Sequence, residues 1–184
     1  MSIEDMVRRI VYAKMNGTYS YSSLQIPLPE TLANRVMAWG IRNIKDENLF
    51  YGDDDTMGRE DYIHTTVFYG IKDGSPDKVK KLIKGLGPIE IRLGLITPFK
   101  DGKDHDVIKI EAESSKIQKL HYDVGEYIPH NNKFPTYQPH ITIAYVKKGT
   151  CDDLIGDDTF KGTVFTSTGV EFSSKDGDKI FLNI

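Results

Sequence analysis

The stretch Tyr62-Ile63-His64-Thr65-Thr66-Val67-Phe68-Tyr69, with its counterpart His140-Ile141-Thr142-Ile143-Ala144-Tyr145-Val146, decides how this chain is read. Each holds a His, any residue, a Thr and an apolar residue, inside a run of β-branched and aromatic residues that reads as a strand. Side chains of a strand alternate between faces, so residues i and i+2 share one. His64 and Thr66 then point one way, and Ile63, Thr65 and Val67 the other. In the second copy His140, Thr142 and Ala144 share a face against Ile141, Ile143 and Tyr145. An imidazole and a hydroxyl presented together, twice, suit phosphodiester cleavage. One His takes a proton from the nucleophile, the other gives one to the leaving group, and the hydroxyls hold the phosphate oxygens. The bare pattern is a weak match, since two buried strand histidines bonded to nearby hydroxyls would also show it. The strand context sharpens it. So does the separation of 76 residues from His64 to His140, which puts each copy in its own structural half.

The composition bounds the rest. At 184 residues, with 39% hydrophobic and 28% charged content, the chain reads as one globular domain, 1–184, or two small lobes sharing a core. No apolar run approaches the ~18 residues of a membrane span. The acidic opening Met1-Ser2-Ile3-Glu4-Asp5 lacks a signal peptide's apolar core. Cys151 is the single cysteine, which excludes an internal disulfide and a cysteine metal cluster and fits a reducing cytoplasm. If the substrate is nucleotidic, a net charge of −3 favours a small one over a polymer.

Along the chain, Ser2-Ile3-Glu4-Asp5 resembles a capping box that opens a helix ending at Asn16-Gly17. A strand over Ser22–Ile26, then Pro27-Leu28-Pro29, precedes a helix over Glu30–Trp39. Residues 52–58 form an acidic loop bounded by glycines. Ser75 and Pro76 open a helix whose Lys78, Lys80, Lys81 and Lys84 make a solvated face. Strands are expected at Ile89–Ile96 and Asp106–Ala112. Ser114-Ser115 caps a helix to about Ile128, with Ile117, Leu120, Val124 and Ile128 inward. A final strand pair, Thr163–Phe172 and Lys179–Leu182, turns at Lys175-Asp176-Gly177-Asp178.

This order resembles the 2H phosphoesterase superfamily, the LigT-like fold. The resemblance runs from about Ser22 to Ile184. It rests on Leu24-Gln25-Ile26-Pro27-Leu28-Pro29-Glu30-Thr31-Leu32, on His64/Thr66 and His140/Thr142, on Ile89–Leu95 with Pro98-Phe99, on Val107–Ile128, and on Pro139 before the second His. It implies a bilobal α+β fold: two antiparallel sheets with pseudo-twofold symmetry, flanked by helices, with a cleft lined by His64, Thr66, His140 and Thr142 as catalytic residues. The 1–17 helix is extra to that fold. Its Ser2–Ile10 segment, followed by Asn16-Gly17-Thr18-Tyr19, is similar to phage anti-CBASS proteins, 2H enzymes that destroy cyclic di- and trinucleotide signals of a bacterial defence system. What this implies is a metal-independent phosphodiesterase of the host cytoplasm, in which a ribose 2′-hydroxyl attacks the adjacent phosphate. Two other readings stand beside it. One is processing of 2′–5′ or 2′,3′-cyclic phosphate RNA ends. The other is a non-catalytic module that sequesters nucleotides. No cofactor, membrane or obligate protein partner is expected.

Further residues are candidates for substrate binding. Tyr12 falls opposite the Ile3/Met6/Val7/Ile10 stripe, with Arg8 one turn before it. It reads as a surface tyrosine or as a platform on which a base stacks. Glu171 reads as exposed polarity or as a partner for a base amino group. Lys147 and Lys148 read as phosphate charge or as cover for a strand end. Trp39 is expected in the core, and Tyr69 and Tyr145 as packing residues opposite the histidines. His105, His121 and His130 lack a Thr or Ser at i+2, and Asp104-His105-Asp106 lacks the further ligands of a metal site.

Overall fold

The computed structural model describes residues 19–52, 57–100, 102–133 and 136–184. The expected helix over 1–17, with Arg8 and Tyr12, lies outside the described residues, as do 53–56 of the acidic loop and Pro135. Among the described residues the chain runs β1 (Ser22–Pro27), α1 (Glu30–Asn43), β2 (His64–Ile71), α2 (Asp77–Ile83), β3 (Ile89–Phe99), β4 (His105–Glu113), α3 (Ser115–Tyr127), β5 (His140–Lys147), β6 (Val164–Ser167), β7 (Gly169–Ser173) and β8 (Lys179–Asn183).

Local chemistry accounts for the helices. Pro29 follows β1 and opens α1, Glu30 sits in its first turn and Arg42 in its last, and Leu32, Val36, Trp39 and Gly40 make its buried stripe. α3 starts where the Ser114 hydroxyl accepts from the Ile117 N–H at 3.5 Å, and it buries Ile117, Leu120 and Val124.

The strands pair antiparallel in the order β6-β3-β4-β5-β2-β1-β7-β8. Each His strand therefore ends one four-stranded half, and the halves meet where β2 and β5 touch through a single residue pair, Thr65 with Ile141. The two sheets expected are these halves, joined by that pair. The sheet must also curl. Thr168 alone separates β6, at one edge of the order, from β7, next to the other. The strand expected over Thr163–Phe172 is thus two strands. The break follows from Ser167, whose hydroxyl donates to the Gly169 carbonyl at 2.6 Å, and from Gly169, where a Cβ would lie 2.5 Å from the Leu182 carbonyl oxygen.

The helices exchange halves. α1 follows β1 yet packs on β5, where a Cβ at Gly40 would come within 2.9 Å of Ile143 Cγ2. α3 follows β4 yet packs on β2, with Gly125 against Phe68. Each His strand is backed by the helix of the other half, and one continuous apolar cluster fills the space between.

Both His strands carry a β-bulge at the same step. Gln25 pairs with Thr66 and Leu24 with Phe68, which leaves Val67 extra; Lys109 pairs with Thr142 and Ile108 with Ala144, which leaves Ile143 extra. A one-residue insertion reverses the faces beyond it. Tyr69 and Tyr145 accordingly lie on the histidine side, and Ala144 on the core side, against the simple alternation. Tyr69 is 51% exposed, so it is no packing residue.

Candidate active site

The Thr65–Ile141 pair places the two motifs about a local twofold. Because the strands are antiparallel, the next positions out set His64 opposite Thr142 and Thr66 opposite His140. The histidines then occupy one diagonal of a small rectangle. Diagonal positions of an antiparallel pair lie about 7–8 Å apart along the backbone, a spacing from which both rings can reach the same phosphate.

Each ring is held the same way. His64 Nδ1 donates to the Tyr62 carbonyl at 2.6 Å, and His140 Nδ1 donates to the Gln138 carbonyl at 2.7 Å. A carbonyl only accepts, so each Nδ1 carries the proton of the neutral ring and each Nε2 keeps its lone pair. Two Nε2 atoms on one face with no hydrogen-bond partner among the described residues, each with a threonine two residues on, can relay protons into and out of a phosphate. Both rings are half-buried. Burial pushes both imidazoles below their ordinary value. For His64 the anchoring carbonyl opposes that, and a cation at Lys179 and a carboxylate at Glu171 pull in opposite directions. For His140 the carbonyl also opposes it, but both nearby charges, Lys109 and His64, push further down.

The rungs beside the motifs run across each half. In the first, Thr66 is followed by Gln25 and then Glu171. Gln25 Nε2 donates to Glu171 Oε1 at 2.8 Å and the Tyr62 hydroxyl donates to Oε2 at 2.7 Å. Lys179 closes this network, 3.7 Å from Glu171 Oε1 and 3.2 Å from the centroid of the Tyr62 ring. In the second half Thr142 is followed by Lys109 and then Thr97. The Phe99 ring meets His140 edge-on at 4.8 Å.

Where the strands part, Tyr137 and His121 fill the gap. Tyr137 donates to the Thr66 carbonyl at 2.8 Å and His121 Nδ1 to the Val67 carbonyl at 2.8 Å, and the two rings stack at 3.8 Å. The bulge and the parting of β2 from β5 free these carbonyls, and side chains satisfy them.

The structure thus brings His64, Thr66, His140 and Thr142 together. Glu171 joins them as a buried wall whose two oxygens already accept from Gln25 and Tyr62, not as exposed polarity. Lys147 does not join them. It pairs with His105 at the far end of β5 and donates to the Glu47 carbonyl at 2.8 Å, as cover for a strand end does. Trp39 is in the core at 3% exposure. The sequence reading missed Gln25, Tyr62, Lys109 and Lys179, which become visible only through strand register. It also missed Glu60, whose carboxyl is pushed up to about 7 by burial and by the adjacent Asp61. Among the described residues no three His, Cys, Asp or Glu converge to hold a metal ion.

No protein-family profile matches the chain and no curated protein matches it by sequence. Solved structures do match it in three dimensions. The structure of E. coli LigT complexed with 3′-AMP aligns over 90% of this chain and 95% of that one, with a TM-score of 0.58 at 13% identity. This chain has the LigT fold. TT0787 of Thermus thermophilus gives a TM-score of 0.55 at 14% identity, covering 89% of this chain and 94% of that one. A structure described as a phosphoesterase gives 0.52 at 14% identity, covering 90% and 95%. The LigT fold is the α+β arrangement of two similar halves that the paired His motifs imply.

Proposed function

We propose that this protein is a metal-independent phosphodiesterase that opens small cyclic oligonucleotides at 3′–5′ bonds. The observation that carries the reading is the matched anchoring of the two rings: Nδ1 tied to the carbonyl two residues back, Nε2 with no hydrogen-bond partner among the described residues, threonine at i+2, in both halves. Binding alone needs no second proton-transfer group. The fold adds support, since a LigT-fold protein has been solved with phosphate and with 3′-AMP.

The reaction proceeds without a protein nucleophile. Cys151, the single thiol, is buried, and burial pushes its pKa up. The ribose 2′-hydroxyl is already beside the phosphate, so its attack is intramolecular. One His takes the 2′-hydroxyl proton as the new O–P bond forms. The other gives a proton to the 5′-oxygen as the old bond breaks. Thr66 and Thr142 hold the non-bridging oxygens. The product is linear and ends in a 2′,3′-cyclic phosphate, or in a 3′-phosphate after hydrolysis. The cyclic substrate and a role against bacterial antiphage signalling rest on the resemblance of Ser2–Ile10 and Asn16–Tyr19 to phage anti-CBASS proteins. Tyr12 is then a base platform and Arg8 its neighbour, and the enzyme works in the host cytoplasm without a cofactor.

The test is incubation with cyclic di- and trinucleotides, 2′–5′ oligoadenylates and 2′,3′-cyclic ends, with products resolved by chromatography and mass. Ribose rings should open and 2′-deoxyribose rings should bind uncut. Turnover confined to the RNA ends would replace the cyclic substrate. A product with a 5′-phosphate would show direct attack by water and overturn the mechanism.

A further inference from the structure

Lys109 is a buried cation with no carboxylate in direct contact among the described residues. Its residue is 4% exposed. Its Nζ donates to Thr97 Oγ1 at 2.7 Å and lies 4.4 Å from the centroid of Phe99. Neither neighbour carries charge. Glu111 reaches Thr97 instead, at 3.2 Å, and among the described residues no carboxylate oxygen lies within 4.0 Å of the ammonium. An ammonium withdrawn from water without a directly bonded counterion is costly: burial lowers the pKa of this one, and the Glu111 carboxylate behind Thr97 opposes that only in part.

The fold does not need a cation here. The matching rung of the other half is Gln25 opposite Thr66, a neutral amide satisfied by Glu171. Lys109 stands directly opposite Thr142 on the histidine face, and its charge acts on His140. Its three N–H donors exceed the one acceptor, Thr97, that it bonds. The site on which it borders is lined by two imidazoles, both pushed down in pKa, and two hydroxyls, none of which is a fixed positive charge for a phosphate.

We propose that Lys109 is the oxyanion receptor of this site: its ammonium, beside the Thr142 hydroxyl, binds a non-bridging phosphate oxygen and stabilises the charge that builds there as the phosphate becomes five-coordinate. The inference rests on the phosphodiesterase reading for its catalytic part, but the anion binding stands without it. Lys109 is then kept at a cost to the empty protein. Phosphate binding relieves that cost.

Lys109→Met keeps the length of the stem and removes the charge; Lys109→Arg keeps a charge. Thermal unfolding of the wild type, both variants and His64→Ala is followed with inorganic phosphate and with chloride at matched ionic strength. In chloride, Lys109→Met should melt about 2–4 °C above the wild type, because a buried charge with no carboxylate in direct contact is gone. Phosphate should raise the melting temperature of the wild type and of His64→Ala. Lys109→Met should show no such rise, and Lys109→Arg should recover part of it. On any diester the wild type cleaves, Lys109→Met should lower kcat/KM by about 100-fold, the scale for one lost charge-stabilising donor. A phosphate response in Lys109→Met equal to that of the wild type, or none in the wild type, would overturn the assignment. A Lys109-dependent phosphate response in a protein that cleaves no diester would leave the receptor standing and remove the phosphodiesterase reading.

Discussion

The two halves carry the same strand and bulge, the same ring anchor and the same backing by the other half's helix, and they part company one rung away. Thr66 faces Gln25 and, beyond it, Glu171; Thr142 faces Lys109 and, beyond it, Thr97. In the proposed reaction, the shared geometry would grip the phosphate from both sides, and the differing charge would serve two protons moving in opposite directions. Beside His64 a cation and a carboxylate oppose each other, whereas at His140 the Lys109 cation, and His64 whenever it is protonated, push the same way. Burial lowers both rings, so the proposal that His140 takes the proton and His64 gives one rests on this difference in neighbouring charge and is tested below.

The largest effect tests what the halves share. His64→Ala and His140→Ala should each lower kcat by about 100-fold or more, the usual scale for a positioned acid or base. The double variant should fall well short of the product of the two, since the pair acts as a unit. Both should melt cooperatively. Near-wild-type turnover in either folded variant would take that ring out of the reaction.

The next prediction separates the halves. A substrate whose 5′-oxygen is replaced by sulfur departs without a proton. His64→Ala should regain at least about tenfold on it relative to the oxygen substrate, and His140→Ala should not, because lost general-acid catalysis is what sulfur replaces. Rescue of His140→Ala alone would exchange the roles.

A smaller effect is read in pH. His140 is pushed down by burial and by Lys109, so Lys109→Gln should move the acid limb of kcat/KM to higher pH. An unmoved limb would remove Lys109 from the field of His140. Stability has two opposed contributions. Both rings sit below their ordinary 6.5, so as pH falls through 6.5 the unfolded chain binds protons first and stability is lost. Glu60 is raised from 4.5 to about 7, so its contribution is fully present below pH 4.5 and is lost as pH rises toward 7. Glu60→Gln should therefore gain on the wild type in urea unfolding at pH 8 relative to pH 4. Equal differences at both values would discard the raised carboxyl.

What was legible in the sequence was local. The His-x-Thr repeats, the Ser114 cap and the buried Ile117/Leu120/Val124 stripe follow from spacing, and the order of elements pointed to the α+β fold of LigT. What was hidden came from register. Nothing in Val67 or Ile143 announces a bulge, so Tyr69 and Tyr145 are assigned to the wrong face by alternation alone. Thr163–Phe172 reads as one strand because only the fold tells Thr168 that its neighbours belong to opposite ends of a curled sheet. Lys109 looks like any strand lysine until Thr142 is set opposite it.

The smallest effect compares the two glycines by which each helix reaches the other half's His strand. Alanine is favoured over glycine inside a helix by about 0.8–1.0 kcal/mol, so each substitution begins with a gain. At Gly125 the new Cβ would lie 3.3 Å from Phe68 Cε2, at the edge of a ring that can tilt. Gly125→Ala should come out within about 0.5 kcal/mol of the wild type, as a mild clash offsets the propensity gain. At Gly40 the Cβ would lie 2.9 Å from Cγ2 of Ile143, a β-branched side chain with little rotamer freedom and itself the bulge residue after Thr142. Overpacking there costs about 1–3 kcal/mol and exceeds the gain. The displacement also has a direction. It bears on the residue that follows Thr142, so Gly40→Ala should lower kcat several-fold beyond its effect on melting, and Gly125→Ala should not. Chemical denaturation paired with single-turnover rates separates the two. Equal losses of stability and no loss of rate in either variant would mean that the helices merely cover the sheet and do not hold the bulges that aim the site.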